Sequence, residues 1–168
     1  MPIDKKESFT GLILVSGQDR PGITQSLMST LSEFAVNILD IEQLVIRDRL
    51  LLTVLITLDE AHAEAIARDL ELLQEKLQLD IAIDFVQTNI NEDASDNLRV
   101  VIVGSEIKPV GLSAVASEIA RLGGNITAIK RTARNPVIAI EMNLTIPNDS
   151  IKIVQEALTS IAINNHID

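Results

Sequence analysis

Apolar residues recur along the chain in two rhythms, and the same succession of rhythms occurs twice. Continuous apolar runs such as residues 11–17 are typical of central strands, which are buried on both faces. Apolar positions spaced by three and four residues predict one face of a helix, and strict alternation, as in residues 136–146, predicts a strand. Each half of the chain therefore predicts the order strand, helix, strand, strand, helix.

The first half predicts a complete unit, because its second helix is followed by a fourth strand. Pro21 suits the first helical position, and Asp19 or Arg20 before it could cap the first helix. A charged turn at Arg47–Arg49 separates the two strands of a hairpin. The predicted elements are strands 11–17, 37–47, 50–58 and 79–87, a first helix marked by Ile23, Leu27, Leu31 and Phe34, and a second helix over 60–77.

The second half repeats the first at a spacing of about 88 residues. Asn37 and Asn125, each followed by Ile, are 88 residues apart, and Gly17 and Gly104 are 87 apart. The repeat predicts strands 98–104, 126–133 and 136–146, a helix through Leu112–Leu122 that stops at Gly123-Gly124, and a last helix through Ile151–Ile161.

The same spacing predicts that the second unit lacks its fourth strand. Leu79-Asp80 opens that strand in the first unit, and the spacing carries it to Ile167-Asp168. In a ferredoxin-like sheet of order 4-1-3-2, the fourth strand protects the edge of strand 1. Two explanations stay open here: the chain is a piece of a longer protein, or another chain supplies the missing pairing.

The predicted fold class is α+β, with two ferredoxin-like βαββαβ units whose antiparallel sheets carry helices on one face. Residues 88–97 are polar, with three acidic and no basic residues, which is typical of a linker. The expected boundaries are an N-terminal tail over 1–9, a first domain over 10–87, the linker over 88–97 and a C-terminally truncated second domain over 98–168.

Composition excludes several classes of function. The 168 residues are 46% apolar and carry a net charge of −10, so a packed core is expected and a nucleic-acid or anionic-membrane partner is not. Residues 1–87 carry a net charge of −8, whereas residues 98–168 carry +1. Without cysteine there is no disulfide framework, thiolate metal site or cysteine nucleophile. With no apolar run of spanning length and no signal-peptide core, a cytoplasmic protein is expected.

No constellation of side chains indicates catalysis. His62 and His166 are solitary and lack the i+4 partner of a helical metal site. Asp40 and Glu42 share a strand face, but a solvated face explains them more simply than an acid–base pair. The sequence predicts neither a catalytic residue nor a metal site, and it favours a binding or regulatory chain.

The loop Gly17–Ile23 has the most chemical specificity. Gly22 near a helix start lets a ligand approach the backbone, and the helix N-terminus offers N–H groups to a carboxylate. Asp19 could take the ammonium group of a small amino acid, and Asn37 could add a polar contact. The alternative is a helix start that binds no ligand.

Strand 50–58 carries large apolar residues on both faces, with Leu51 and Leu55 opposite Leu52 and Val54. Helices cover only one face of such a sheet, so a second covering layer is expected. The other unit or another subunit could supply that layer, and a homodimer is the simplest arrangement that does so.

The motif G-x-D-R-P-G over residues 17–22, with Asn-Ile opening the next strand, resembles tandem ACT domains, which are ferredoxin-like modules that bind amino acids and regulate metabolic enzymes. The resemblance covers residues 10–168. It is closer to the N-terminal regulatory region of the tandem-ACT phosphoserine phosphatases, because residues 39–47, the loop 104–111 and the Gly-Asn-Ile that ends at Ile126 are similar to that family.

The resemblance implies a serine-sensing, dimerising module with L-serine as its ligand. The second loop lacks the Asp-Arg-Pro-Gly signature and has Ile107-Lys108-Pro109-Val110 instead, which makes amino-acid binding there doubtful. Carried over by position, the binding residues are Asp19, Arg20, Pro21, Gly22 and Ile23 with Asn37 in the first unit, and Gly104, Pro109, Val110, Gly111 and Leu112 with Asn125 in the second.

Such phosphatases continue into a catalytic domain of the haloacid dehalogenase type. Its nucleophile motif D-x-D-x-[ST] has no match here, since Asp80 to Asp84 has the wrong spacing. The resemblance therefore implies that the tethered phosphatase domain, and the Mg²⁺ it would use, lie outside this chain. The runner-up is a stand-alone tandem ACT regulator resembling the repressor of the glycine cleavage system, and an enzyme acting alone is a distant third.

Overall fold

The protein forms two compact units, residues 1–92 and 93–168, each with its own hydrophobic core. The structure, a computed structural model, describes residues 7–89 and 97–168. Most of the predicted tail, residues 1–6, and most of the predicted linker, residues 90–96, lie outside this range.

Unit 1 has the complete βαββαβ order that the sequence predicts. Its four strands form one antiparallel sheet in the order β2-β3-β1-β4, which confirms the ferredoxin-like arrangement. A single 3-10 turn over Glu60–His62 precedes the second helix. The elements are β1 (Glu7–Gln18), α1 (Ile23–Leu31), β2 (Asn37–Ile46), β3 (Arg49–Thr57), α2 (Ala63–Leu77) and β4 (Asp80–Asn89).

The core of unit 1 lies between the two helices and one face of the sheet. Alternate residues of the central strands, including Ile13, Val54 and Ile56, are fully buried there. The apolar stripes of the helices close the core from the other side, as their spacing predicts. These helix residues are Ile23, Leu27 and Leu31 of α1 and Ile66, Leu70 and Leu73 of α2.

The structure differs from the sequence prediction at both ends of α1 and at the start of β1. Pro21 is not the first helical residue, because α1 begins at Ile23. Gly22, between the two, has a left-handed φ of 94°, which does not occur inside a right-handed helix. Phe34 lies in the turn after α1, although its ring still packs on the core. β1 begins at Glu7 instead of residue 11, and the ring of Phe9 stacks on Phe85 with centroids 5.8 Å apart.

Among its described residues, 97–168, unit 2 repeats this order without a fourth strand. Its sheet has three strands in the order β5-β7-β6, so β5 lies at an edge, as the repeat spacing predicts. Its core contains Ile102, Met142, Leu144 and Val154. The elements are β5 (Leu98–Gly104), α3 (Pro109–Arg121), β6 (Asn125–Ala133), β7 (Ile138–Thr145) and α4 (Ile151–Asn165), with a 3-10 turn over Asn148–Ser150 before α4.

The outer face of the unit 1 sheet exposes a band of apolar side chains. Leu14, Leu44 and Leu51 are 45–54% exposed, and strand register places Leu44 and Leu51 directly opposite each other. The prediction that β3 is apolar on both faces is confirmed, since Leu52 and Val54 are buried on the helix side. β2 is the edge strand of this sheet and exposes all ten of its residues.

Candidate functional site

A cavity of about 310 Å³ lies at the loop between β1 and α1. Gly22 occupies the position before the first helical residue, and its left-handed backbone turns the chain into α1. The first N–H groups of any helix have no intrahelical acceptor, so those of Ile23 and Thr24 are available to a ligand. The cavity is lined by Asp19, Arg20, Pro21, Gly22, Ile23, Thr24, Gln25, Gln43 and Leu50.

Two hydrogen bonds hold this loop in place. The backbone N–H of Asp19 donates to the carbonyl of Asp48, 2.8 Å away, in the turn between β2 and β3. The guanidinium of Arg20 donates to the carbonyl of Leu77 at the C-terminal end of α2, where a cation is favoured by the helix dipole. Arg20 therefore anchors the loop to α2. The carboxylate of Asp19, by contrast, is exposed and makes no such anchoring contact with the described residues.

The turn that receives Asp19 is a two-residue hairpin loop. Arg47 and Asp48 both have positive φ, 44° and 67°, which is the geometry that matches the twist of the flanking strands. The charged turn predicted at Arg47–Arg49 thus ends one residue earlier, because Arg49 already belongs to β3.

Sequence reasoning missed four residues of the cavity, Thr24, Gln25, Gln43 and Leu50. The hydroxyl of Thr24 donates to Oε1 of Gln43 over 2.7 Å, which links the first turn of α1 to β2. Leu50, 1% exposed, forms the apolar floor. A signal was present: Gln43 alternates with Ile41 and Val45 along β2, and a polar residue between two apolar ones on that face is unusual.

The structure brings Asp19 through Ile23 together but does not bring Asn37 to them. Gln18 pairs with Arg49 at one end of β3, and Asn37 pairs with Thr57 at the other end. At about 3.3 Å per residue, these ends are about 25 Å apart. Asn37 therefore does not lie beside the loop of its own unit, because β2 starts at the opposite end of the sheet, and its part in the site stays a prediction.

The second loop is built differently. Pro109, expected in the loop before the helix, is the first residue of α3. Gly111 is a buried residue inside the helix without the left-handed backbone of Gly22. Val110 is 66% exposed, and Leu112 packs against the unit 2 core. Asn125 pairs with Thr145 at the opposite end of β7 from Gly104, so it is as distant from its loop as Asn37.

A cavity of about 350 Å³ adjoins this second loop. Lys108 and Glu106 form an exposed ion pair over 3.5 Å at its rim, and the end of α4 forms the opposite wall. Glu106 follows Gly104 by two residues, as Asp19 follows Gly17, but its carboxylate is paired with Lys108. The cavity is lined by Ser105, Glu106, Lys108, Val110, Gly111, Asn164, Asn165, His166 and Ile167.

A carboxylate with a lowered pKa, that of Glu141, lies on the outer face of the unit 2 sheet. The Oε1 atom of Glu141 is 3.0 Å from Nζ of Lys130 and 3.8 Å from Nε of Arg99. Hydrogen bonding from Lys130, helped by the charges of Arg99 and Lys130 and opposed by burial, holds the pKa of Glu141 below its usual value.

We expect Lys130→Met to raise the pKa of Glu141 towards that of a free carboxyl. A carboxyl group with a lowered native pKa stabilises the fold above its unfolded pKa and loses that contribution as the pH falls through the native pKa. Acid titration followed by NMR measures the pKa of Glu141 in the unaltered chain and in Lys130→Met. Glu118, whose pKa is lowered by its own hydrogen bond to Arg121, should titrate unchanged and serves as the internal control.

The described residues contain no group of three or more side chains suited to hold a metal ion. His62 precedes α2, with its ring centroid 6.3 Å from that of Phe34, and His166 ends α4. In the same part of the chain, no helix has the length and apolar character that a membrane crossing requires.

Comparison with known proteins identifies both units. Models of the ACT domain match residues 10–84 and residues 97–168. The chain is 34% identical over 168 residues to the phosphoserine phosphatase SerB2 of Mycobacterium tuberculosis, with 94% of the chain and 39% of that protein covered. It is 34% identical over 140 residues to a phosphoserine phosphatase of Streptomyces coelicolor, with 79% and 32% covered. The chain thus spans about a third of the length of these relatives.

Solved structures share the fold at low identity. A protein of unknown function from Galdieria sulphuraria superposes with a TM-score of 0.77 at 16% identity, covering 97% of this chain and 96% of that one. A protein assigned as a glycine cleavage system transcriptional repressor superposes with a TM-score of 0.71 at 14% identity, covering 96% and 94%. The chain belongs to the ACT-domain family and consists of two ACT domains in tandem.

Proposed function

We propose that this chain is the amino-acid-sensing and dimerising region of a phosphoserine phosphatase in serine biosynthesis, and that it binds L-serine at the Gly17–Ile23 loop. The observation that carries the proposal is the cavity at the start of α1, where left-handed Gly22 leaves the helix N–H groups open beside the Asp19 carboxylate. The relatives named phosphoserine phosphatases support the class of enzyme, whose catalytic activity would reside outside these residues.

The cavity offers a partner for each group of the ligand. The N–H groups of Ile23 and Thr24 suit the carboxylate, because the positive end of the helix dipole points there. The Asp19 carboxylate suits the ammonium group. The Thr24–Gln43 hydrogen-bonded pair lines the same cavity and suits the serine hydroxyl. Arg20, which holds α2, and the buried Ile23 side chain shape the cavity, and Pro21 fixes the loop backbone.

The dimer proposed here forms along β2. This edge strand exposes Ile41 and Val45 on its helix side, 45% and 42% exposed, and Leu44 and Ile46 on its outer side, 54% and 50% exposed. Antiparallel pairing of two copies of β2 about a two-fold axis would bury these residues and satisfy both backbone edges.

This pairing also gives Asn37 a role. An antiparallel arrangement brings the start of one β2 beside the end of the other β2. The loop and its cavity lie at that end of the sheet. Asn37 would then reach the loop of the second copy instead of its own. A register centred on Gln43 would also place Asp40 opposite Ile46 and keep the acidic side chains of the two strands apart.

We expect Val45→Glu to give a monomer with weakened serine binding, because it places a charge in the proposed β2 contact. Val86→Glu is the matched control, since Val86 on β4 is 50% exposed and lies outside that contact. Sedimentation measures the assembly, and calorimetric titration with L-serine measures binding, with glycine and L-phenylalanine as comparison ligands.

The proposal requires that the unaltered chain be a dimer that binds L-serine selectively. A dimer that binds none of the three amino acids would contradict the sensing function. A dimer that Val45→Glu leaves intact would contradict the β2 contact.

A further inference from the structure

Two polar side chains of the cavity at the start of α1 form a hydrogen-bonded pair. The hydroxyl of Thr24 donates its hydrogen to Oε1 of Gln43 over 2.7 Å. This bond leaves both N–H groups of the Gln43 amide and the lone pairs of the Thr24 oxygen without a further partner among the described residues. The pair therefore presents two hydrogen-bond donors beside an acceptor.

The pair lies on the helix side of the sheet, above an apolar floor. Gln43 is opposite Leu52 in β3, and directly paired residues share a face. Leu52 is buried, so this face is turned towards the helices, as is the buried floor residue Leu50. Thr24 belongs to the first turn of α1, whose free N–H groups suit the carboxylate of a ligand. An amino acid held there by its carboxylate presents a short side chain to Thr24 and Gln43.

We propose that Gln43 determines the side-chain specificity of this site, an inference that rests on the proposed function. With Thr24, Gln43 selects small amino acids that carry a free β-hydroxyl group, and the cavity excludes the phosphorylated form of serine. The site therefore responds to the product of a phosphoserine phosphatase and not to its substrate. A sensor of this kind reports released serine while the phosphorylated amino acid is still present.

A hydroxyl group matches both halves of the pair. Its oxygen accepts from the Gln43 amide, and its hydrogen is donated to the Thr24 oxygen. The methyl group of alanine does neither, and it leaves two polar groups facing an apolar surface. Because Gln43 is exposed at the sheet edge, water replaces part of the lost bonding, and we expect a preference for serine over alanine on the order of tenfold.

A phosphoryl group meets the opposite conditions in this cavity. It carries a charge of about −1.5 to −2 at neutral pH, which the carboxylate of Asp19 repels. Among the described lining residues Arg20 is the only cation, and its guanidinium donates to the carbonyl of Leu77 at the end of α2. Arg49 points to the outer face of the sheet, because the next residue, Leu50, points inward. The described lining residues thus offer a phosphoryl group no cation without another partner.

The second unit carries a cation at the position equivalent to Gln43. The repeat of 88 residues places Arg131 there. Gln43 lies opposite Leu52 in β3, and Arg131 lies opposite the repeat of that position in β7. The same strand position thus accepts an amide in one unit and a guanidinium in the other, so unit 1 should tolerate Gln43→Arg.

Calorimetric titration with L-serine, L-alanine and O-phospho-L-serine tests the proposal. We expect the unaltered chain to bind serine on the order of tenfold more tightly than alanine and roughly 100-fold more tightly than O-phosphoserine. Gln43→Met keeps the length of the side chain but lacks the amide, and it should lower the affinity for serine to that for alanine. The fold should be unaffected, because Gln43 is exposed on an edge strand.

Gln43→Arg should reduce the preference for serine over O-phosphoserine by on the order of tenfold, because it adds a cation beside the side chain of the ligand. Gln87→Arg is the matched control, since Gln87 is an exposed residue of β4 that does not line the cavity. It should leave this preference unchanged. Each preference is measured within one variant, so a change in stability or assembly affects both ligands alike.

Equal affinities of the unaltered chain for serine and alanine, or for serine and O-phosphoserine, would overturn the inference and leave the proposed serine site standing. A preference that Gln43→Arg does not change, or that Gln87→Arg changes as much, would overturn the role of Gln43. Binding of none of the three amino acids would contradict the proposed function itself, and this inference would be overturned with it.

Discussion

Gly22→Val is expected to abolish serine binding to unit 1, with a loss of affinity of roughly 100-fold or more, which corresponds to about 2.7 kcal/mol. A Cβ atom at Gly22 meets nothing within 4 Å, so the side chain would project into the open space that the ligand needs. The backbone φ of 94° disfavours a branched residue by about 1–3 kcal/mol, which unit 1 should tolerate. Calorimetric titration of the variant with L-serine measures the effect.

Gly123→Val separates the loss of the serine site from the effect of placing valine at a left-handed backbone position. Gly123 also has a left-handed φ, 76°, and its added Cβ would make only an ordinary contact of 3.5 Å with Pro147, far in sequence from the loop. We expect this variant to lose a similar amount of stability and to keep its serine affinity. Equal serine affinity in Gly22→Val and the unaltered chain would show that the loop is not part of the binding site.

Gly124→Val is expected to unfold unit 2, with a destabilisation of about 3 kcal/mol or more. A Cβ atom there would overlap Cδ1 of Ile146 and lie 2.8 Å from Cγ2 of Ile119, both of which belong to buried side chains. It would also lie 3.1 Å from the carbonyl oxygen of Ile119, which the helix backbone holds in place. Small domains have only about 5–15 kcal/mol of stability, so this overlap removes a large share.

Thermal unfolding followed by circular dichroism measures the loss, and NMR shows which unit is affected. Signals of unit 1 should persist, because its core is separate from that of unit 2. Gly111→Ala is the matched control, since its added Cβ would lie at an ordinary 3.6 Å from Asn165 and Ile167 and should cost little. Equal unfolding temperatures for Gly124→Val and Gly111→Ala would show that Gly124 is not tightly packed.

The order and type of the elements could be predicted from the sequence because each carries its own periodicity. The stripe Ile23–Leu31 and the strand 98–104 occupy the predicted positions, and the repeat spacing correctly leaves β5 at an edge. Boundaries that depend on tertiary contact were missed. β1 starts at Glu7, ahead of the apolar run, and the ring of Phe9 in this added part stacks on that of Phe85 in β4.

The candidate site could be predicted only in part, because its residues come from three separate elements. The local motif at Gly17–Ile23 identified the loop, since glycine and proline act through the backbone within a few residues. Gln43 joins the cavity through strand pairing and its hydrogen bond to Thr24. Its polar character between Ile41 and Val45 marks the position in the sequence, but it does not indicate which loop the side chain meets. The distance between Asn37 and the loop of its own unit was not apparent in the sequence, because a local motif does not specify at which end of the sheet a strand begins.

The two ACT domains are chemically unequal despite their common fold. The first carries the left-handed glycine and a free carboxylate at its loop, whereas the second replaces these with a helical Gly111 and a Lys108–Glu106 pair. We therefore expect the first domain to be the serine site.

A two-dimensional NMR titration of the chain with L-serine tests the proposed binding site most directly. We expect the largest shifts at the amides of Gly22, Ile23 and Thr24, with smaller shifts at Gln43, and we expect L-phenylalanine to leave them unchanged. Shifts confined to other parts of the chain, or no shifts at these amides at millimolar serine, would contradict the proposed serine site.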